Sequence, residues 1–540
     1  MNTIYASRPV CVNPDGKMRR IADPALLESY LWDESKIIKG KANEVELPRT
    51  EGEVSEILKE MNDKNIRVTI SGAGTGISGS RVPTEGVVLS IEELTKVARE
   101  PKKGEELVLF NENGKNYSMI IGMEGQQYYA ILPPAISIKS LGDVLDGKGL
   151  FYPPDPTETN AFLGGTVSTN ASGARSFFYG PTRNFVRRLR VVLPEGDVID
   201  VRRGEVFAER GRFTIIMTTA ETREIEIPRY SMPHVEKNSA GYYVKPVMDL
   251  VDLFIGSEGT LGVITEIEVS LLPKPKVIVP IFAHFKGEDD SIGFFKRLRS
   301  LSKSGELNVL SIEFFDSRSV NFLRMNDPSS KIPQGSESIV DFELEVSVSE
   351  EQNSALEKVS KVLTECNMLD ALVLSEDNAK EIRHSLPENI NKFIRSKGTK
   401  KVATDAAVPE DQFDEMWNIY HEIAEETGVN YVIFGHIGNF HLHFNFLPVD
   451  EDEVSRAQVA IGSILKKAVE LGGTVTAEHG VGKKYYIENG QKRHLIRIMY
   501  SYENLLQMAK LKKRMDPKLI LNIGNIIPEE ILVALDAEFP

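Results

Sequence analysis

No Cys-x-x-Cys occurs in the chain, and Cys11 and Cys366 are its only cysteines. Two thiolates cannot hold an iron–sulfur cluster of the usual four-thiolate kind, and so few cysteines fit a reducing compartment. Any electrons handled here need another carrier. No apolar run approaches the roughly 18 residues of a membrane-spanning helix. The start, MNTIYASRPVCVNPDGKMRR, has no continuous apolar stretch behind its basic residues, so a secretory signal is not expected. The default is a cytoplasmic protein, with attachment to the inner-membrane surface left open. Positive charge is also in deficit, 64 Lys and Arg against 79 Asp and Glu for a net −15. Such a chain repels phosphate backbones overall, which excludes nucleic acid as an expected partner. Internal repeats and low-complexity tracts are missing too.

What is present reads as globular. The apolar fraction of 41% and charged fraction of 26% are ordinary, and 540 residues make three to four units of about 150 residues each. DPALLESYLWDESKI has an Asp cap and helical spacing of Leu26, Leu27, Tyr30 and Leu31, which predicts a helix within residues 1 to 44. From residue 45 the pattern is strand, helix (about 51 to 65), strand (66 to 71) and a glycine loop. Residues 101 to 132 interrupt with EELVLF, an Asn113-Gly114 turn, YSMIIGM and QQYYAIL, which look like added strands. Pro273 and Pro275 mark a boundary, and beyond them strands and helices alternate to about residue 500, which is α+β material. YENLLQMAKLKKRM then predicts a last helix before the tail.

Three glycine-rich stretches are separated in sequence: Ser71 to Gly79, Gly164 to Gly173 and Gly256 to Gly262. Backbone without side chains can approach a pyrophosphate closely and aim successive N–H groups at it. Neither an acidic ribose ligand at Rossmann spacing nor a P-loop Lys-Ser/Thr follows the first stretch. Alone it reads equally as a flexible turn; three such loops together suit one long polar ligand of dinucleotide size.

GHIGNFHLHFN places His436, His441 and His443 close together, and TAEHGVG adds the Glu478-His479 pair. Strand alternation puts His441, His443 and Asn445 on one face. Imidazoles joined by a carboxylate are metal-site chemistry suited to zinc or another first-row divalent ion. The plainer alternative is a set of hydrogen-bonded structural histidines.

SGAGTGISGSRVP, YPPDPTETN with GGTVSTNASGARSFFYG, KNSAGY with LFIGSEGTLGVITEIEVSLLPKP, GHIGNFHLHFN, AEHGVG and MDPKLILNIG follow in that order across residues 45 to 528. In this register the chain resembles the FAD-linked oxidases of the vanillyl-alcohol-oxidase or PCMH type, in the D-2-hydroxyacid dehydrogenase branch with glycolate oxidase, D-lactate and D-2-hydroxyglutarate dehydrogenases. The resemblance implies an α+β fold: a PCMH-type FAD-binding domain of two subdomains over 45 to 274, an α+β cap domain with a metal site over 275 to 505, and a return to the FAD domain over 506 to 540. It implies a pyrophosphate on Gly72, Ala73, Gly74, Thr75, Gly76 and Gly79. Pro154, Thr169, Asn170 and Gly173 should lie along the cofactor, with Glu258, Gly262, Ile264 and Asn522 near it. The first two glycine loops hold no His or Cys, so non-covalent FAD is expected.

The family chemistry oxidises a D-2-hydroxy acid to the 2-oxo acid, with hydride passing to flavin N5 and electrons going on to a quinone, a cytochrome or an electron-transferring flavoprotein. By resemblance His436, His443 and Glu478 hold the divalent metal (zinc, or manganese or iron). His479 is the general base, a role suited to imidazole, Arg383 holds the substrate carboxylate, and Asn445 orients the substrate. A homodimer or partner subunits stay open.

Departures bear on the substrate. The family's GHxGDGNxHxN is GHIGNFHLHFN here, so Asn439, Phe440 and His441 replace Asp, Gly and Asn. Phe440 either narrows the pocket or packs under the sheet; His441 is an extra ligand, a second acid/base or a satisfied histidine. Ala403 stands two residues before Asp405, where relatives that accept a distal carboxylate have Lys, and Lys400 and Lys401 lie farther back. A D-lactate-like acid is favoured over D-2-hydroxyglutarate. Two other readings are an alkyl-dihydroxyacetonephosphate synthase-like flavoenzyme and an electron-relaying FAD subunit of a larger oxidase.

Overall fold

The helix Glu51–Asp63 starts where the Thr50 hydroxyl accepts from the Glu53 amide, and it buries Val54, Ile57, Leu58 and Met61 at helical spacing. In the computed structural model, which describes residues 2–10, 18–326, 332–346 and 349–538, this helix carries the chain across a four-stranded sheet. Its strand order is Arg19–Ile21, Glu44–Leu47, Val87–Ser90, Val68–Ser71, the last three parallel. The glycine loop leaves from the end of Val68–Ser71. Cys11 lies outside the described residues, and Cys366 is a buried free thiol.

A second sheet of seven strands packs beside the first. Its order runs Val198–Arg202, Val186–Val192, Val263–Pro273, Gln127–Leu132, Lys115–Glu124, Glu106–Glu112, with Leu150–Phe151 also paired to Val263–Pro273. The stretch expected as an insertion is therefore only partly one. Gln127–Leu132 pairs directly with Val263–Pro273, and the strands outside it are Lys115–Glu124 and Glu106–Glu112.

The cap half is a seven-stranded sheet in the order Met368–Val373, Val277–Phe285, Ser338–Val346, Val309–Phe315, Tyr431–Gly435, His443–Phe446, Val402–Ala403. One face is aromatic and aliphatic, with Phe285, Phe294 and Phe342 in contact beneath it. The other carries the chemistry: Glu313 is opposite Asp341, Phe434 opposite His443, and Val432 opposite Asn445. After the helix Tyr502–Met515 the chain runs back to the flavin half, where Leu521 bridges Val68. Asn522 accepts from the Ile70 amide at 2.7 Å.

Three elements differ from the sequence reading. The N-terminal helix is a single turn, Pro24–Leu27, continued by the 3-10 turn Glu28–Tyr30. The second glycine stretch opens as a helix, Leu163–Thr169, ended by Asn170 in the left-handed region at φ 50°. Gly164 serves packing there, since a Cβ would meet Pro134 at 2.8 Å. The tail closes in a further helix, Glu529–Glu538, that the apolar spacing did not reveal. Among the described residues no helix is long and apolar enough to cross a membrane.

Candidate active site

His436 ends the strand Tyr431–Gly435, and the turn Ile437–Asn439 closes on Phe440 at φ 53°. That turn is held by the His441 amide donating to the His436 carbonyl at 3.2 Å. It brings the rings of His436, His441 and His443 together, with centroids 4.6 to 5.3 Å apart. Glu478 comes from the other side. Its Oε2 lies 3.3 Å from His436 Nε2 and 3.9 Å from His441 Nδ1, and its Oε1 lies 3.4 Å from His443 Nε2. One donor atom from each of these four residues falls within a 4.8 Å group. His436 Nε2 and His441 Nδ1 are buried and have no hydrogen-bond partner. Orphaned imidazole nitrogens converging on a carboxylate are what a divalent ion would satisfy, so the donor set fits a metal.

Carboxylates behind the rings fix which nitrogens face inward. His436 Nδ1 is 2.7 Å from Glu313, and His441 Nε2 is 2.9 Å from Asp405. Burial disfavours charge on both rings. It takes His441 down to about 3, whereas in His436 Glu313 and Glu478 outweigh it and the pKa rises to about 9. Burial alone would raise Glu478, but His436 and Lys237 reverse this and hold it well below the usual carboxylate range.

His479 sits at the open edge of the cluster, its side chain 30% exposed. Nε2 is 3.5 Å from Glu478, and Nδ1 is 3.0 Å from Asp405 Oδ2 but not aligned as a hydrogen bond. The His479 amide donates to the same oxygen at 3.1 Å. Asp405, opposed by burial but held low by His479 and His441, stays a carboxylate and also accepts from Thr476. The flavin half reaches in as well: Ser172 Oγ and Lys237 Nζ each stand 3.3 Å from Glu478 Oε2, and Lys237 donates to the Gly173 carbonyl at 2.9 Å. Lys237, Glu313 and Ser172 were given no role from sequence. Lys237 had a signal, a lysine inside the quoted KNSAGY, whereas Glu313 lies in an unremarkable strand.

The first glycine loop borders a cleft of about 570 Å³ lined by Trp32, Asp33, Ala73, Gly74, Thr75 and Arg81 among others. A Cβ at Gly72 or Gly76 would point into open space, and Gly74 has φ +89° with Arg81 where its Cβ would be. Arg81 Nε is buried without a partner. Bare backbone over a cleft beside an unsatisfied guanidinium nitrogen fits a pyrophosphate, and hence FAD. Gly79 donates to Asp33 at 2.5 Å.

Several other residues named from sequence act on the protein itself. Glu258 Oε1 and Oε2 accept the amides of Val481 and Gly482, each at 2.8 Å, beside the Glu478-His479 pair. Asn522 Nδ2 donates to the Glu258 carbonyl at 2.7 Å. The Thr169 hydroxyl bonds the Gly165 carbonyl, and Asn170 caps its helix while accepting from the Arg183 amide. Gly173 lies where a Cβ would strike the Asp155 carbonyl, next in sequence to the buried Pro154. A Cβ at Gly262 would meet Val191 at 2.4 Å, and Ile264 pairs with Val191 in the sheet.

Arg383 lies inside the helix Glu376–Lys397. Its guanidinium is 3.1 Å from Asp341 and 2.7 Å from Glu343, which also takes Arg175 from the flavin half. Asn445 is buried, donates to the His443 carbonyl at 3.2 Å and leaves its Oδ1 unpaired. Phe440 packs under the sheet against Phe295 and Phe413, with Arg299 4.4 Å from its ring centre.

Residues 43–202 match the family described as FAD binding domain, and residues 274–526 the FAD linked oxidases, C-terminal domain. Glycolate oxidase subunit GlcD of Bacillus subtilis is 27% identical over 94% of this chain and 94% of its own length. D-lactate dehydrogenase of Archaeoglobus fulgidus is 28% identical over 93% and 96%, and mitochondrial D-2-hydroxyglutarate dehydrogenase of Danio rerio 26% over 95% and 84%. A solved structure of alkyldihydroxyacetonephosphate synthase matches with TM-score 0.63 at 15% identity, covering 93% of this chain and 81% of that one, a likeness of fold. The chain belongs to the FAD-linked oxidases with a PCMH-type fold. It is an FAD-linked oxidoreductase of the D-lactate, glycolate and D-2-hydroxyglutarate dehydrogenase branch.

Proposed function

We propose that the chain oxidises a small D-2-hydroxy acid, of the size of D-lactate, to its 2-oxo acid, using non-covalent FAD and a divalent metal. The observation that carries this is the group of unpaired, buried imidazole nitrogens around Glu478, with His479 on its open edge. His436, His443 and Glu478 hold the ion. Bound FAD supplies a two-electron acceptor, and the ion supplies Lewis acidity toward the hydroxyl and carboxylate oxygens. His479 takes the hydroxyl proton at Nε2, since Asp405 can only accept and so favours the ring proton on Nδ1. Ser172 and Lys237 fix Glu478 from the flavin side, and the free Oδ1 of Asn445 orients the substrate.

A compact acid is favoured because Ala403, opposite Asn445, offers no cation for a distal carboxylate, while Arg383 is already shared between Asp341 and Glu343. The electron acceptor is a quinone, a cytochrome or an electron-transferring flavoprotein. Anaerobic mixing of the purified flavoprotein with D- and L-2-hydroxy acids, with and without chelator, tests the reading. Bleaching of the flavin band by a D-acid, lost on metal removal, is expected; no bleaching by any 2-hydroxy acid refutes it.

A further inference from the structure

The geometry points to His441 as a fourth protein ligand, completing a donor set of three imidazoles and one carboxylate; this rests on the reading above that the cluster holds a metal. Sequence left three roles for this ring. A satisfied structural histidine would have partners on both nitrogens, but only Nε2 has one, Asp405 at 2.9 Å, while Nδ1 is buried and unpaired. A second acid/base would have to reach substrate, yet His441 is 0% exposed and lies behind His443, ring centres 4.6 Å apart. The remaining role is the one Nδ1 is aimed at: it faces Glu478 Oε2 at 3.9 Å, within the group formed with His436 and His443.

Two further features agree. Ligand histidines are commonly held through the other ring nitrogen by a carboxylate that fixes tautomer and orientation. Asp405 does this for His441 as Glu313 does for His436. The left-handed Phe440, with the His441 amide closing on the His436 carbonyl, turns the backbone so that both rings look the same way. The replacement of the family's Asn by His441 thus adds a ligand. Four protein donors fill a tetrahedral zinc ion, whereas a six-coordinate ion keeps two positions, the number that a hydroxyl and a carboxylate oxygen occupy. The set therefore suits manganese or iron over zinc as the working ion.

The test uses the FAD-loaded full chain, stripped with chelator and titrated with Mn2+ or Co2+ against a competing chelator, in wild type, His441→Asn and His441→Ala. Wild type should bind one ion per chain. The variants should bind more weakly by at least about hundredfold, beyond the roughly 10–100-fold lost with an outer partner. Measured against each variant's own metal-free melting temperature, they should lose most of the rise that the ion produces, and their Co2+ absorption should shift. X-ray absorption on wild type counts imidazoles without any variant: three support the proposal and two overturn it. Variants that bind the ion as tightly as wild type, with an unchanged Co2+ spectrum, also overturn it while leaving the metal reading intact. A wild type that binds no ion removes the reading and this proposal together.

Discussion

Replacing Asp405 by Asn changes one proton acceptor into a group that is acceptor on one side and donor on the other. The carboxylate meets His441 Nε2 at 2.9 Å and the His479 amide at 3.1 Å, stands 3.0 Å from His479 Nδ1, and takes the Thr476 hydroxyl as well. All of these contacts are with groups able to donate. However an Asn is turned, its NH2 faces at least one of them, and on the Oδ2 side it faces His479. The proton then moves to Nε2, the atom that has to receive the substrate's proton. In hydrolases where an Asp orients a catalytic His, the same change costs about 10⁴ in rate. The misaligned contact at His479 argues for a loss no larger than that, so flavin reduction should slow by about 10³–10⁴, or about 4–5.5 kcal/mol. Anaerobic stopped-flow at saturating D-2-hydroxy acid measures it, with metal content measured in parallel because His441 shares Asp405. Substrate affinity should change far less than the reduction rate. Reduction within tenfold of wild type in a variant with normal metal and flavin content would show that Asp405 does not position the base.

His479→Ala should keep the flavin spectrum and bound metal but lose reduction by at least about 10²–10⁴, the usual worth of a positioned acid or base; a metal-loaded variant that still bleaches at the wild-type rate removes His479 from the chemistry. Gly482→Ala places a methyl 2.2 Å from the Ser78 carbonyl at a φ of +52°, so it should cost at least about 1–2 kcal/mol from the backbone alone and loosen FAD, read as a lower melting temperature and a higher free-flavin fraction. An unchanged melt would mean that the turn has room to shift. Asp316 is raised by burial from 3.8 to about 7, while its Oδ1 accepts the Ser319 amide at 2.7 Å. Below about pH 4 the carboxyl is protonated folded and unfolded; between there and about 7 the unfolded chain ionises first, so the native state loses stability as pH rises. Asp316→Asn keeps the acceptor without the penalty, so its stability should gain on wild type from pH 4 to 7, reaching about 4 kcal/mol near pH 7 and read as a growing difference in melting temperature. A gap independent of pH contradicts this.

The elements most legible in sequence were those whose residues interact locally. The helix Glu51–Asp63 has a Thr cap and an apolar stripe, and the strand–loop junction at Ser71 has its glycines. The meeting of His436, His443 and Glu478 was also legible, because the histidines are near in sequence and Glu478 came with a motif. Partners drawn from remote strands were not. Glu313 looks like any strand glutamate until register places it behind His436, and Arg383 reads as a free cation until Asp341 and Glu343 arrive from another strand. Leu163–Thr169 read as a loop because Gly164 and Gly165 suggest flexibility, yet the close approach of Pro134 makes glycine a packing requirement inside a helix.

The position of the Glu478-His479 pair depends on both halves of the molecule. Ser172 and Lys237 hold the Glu478 carboxylate from the flavin side, and Glu258 holds the amides of Val481 and Gly482 just beyond His479. Glu258 is itself tied through its carbonyl to Asn522 and Asn525 of the returning C-terminal segment, and Asn522 grips the strand that leads into the glycine loop. Asn522 and Glu258 thus connect the strand that leads into that loop with the turn that follows His479. The glycine-loop strand and the turn beyond His479 share one chain of hydrogen bonds, so under the proposed function the seating of a pyrophosphate and the alignment of His479 are linked without Glu258 or Asn522 needing to touch substrate.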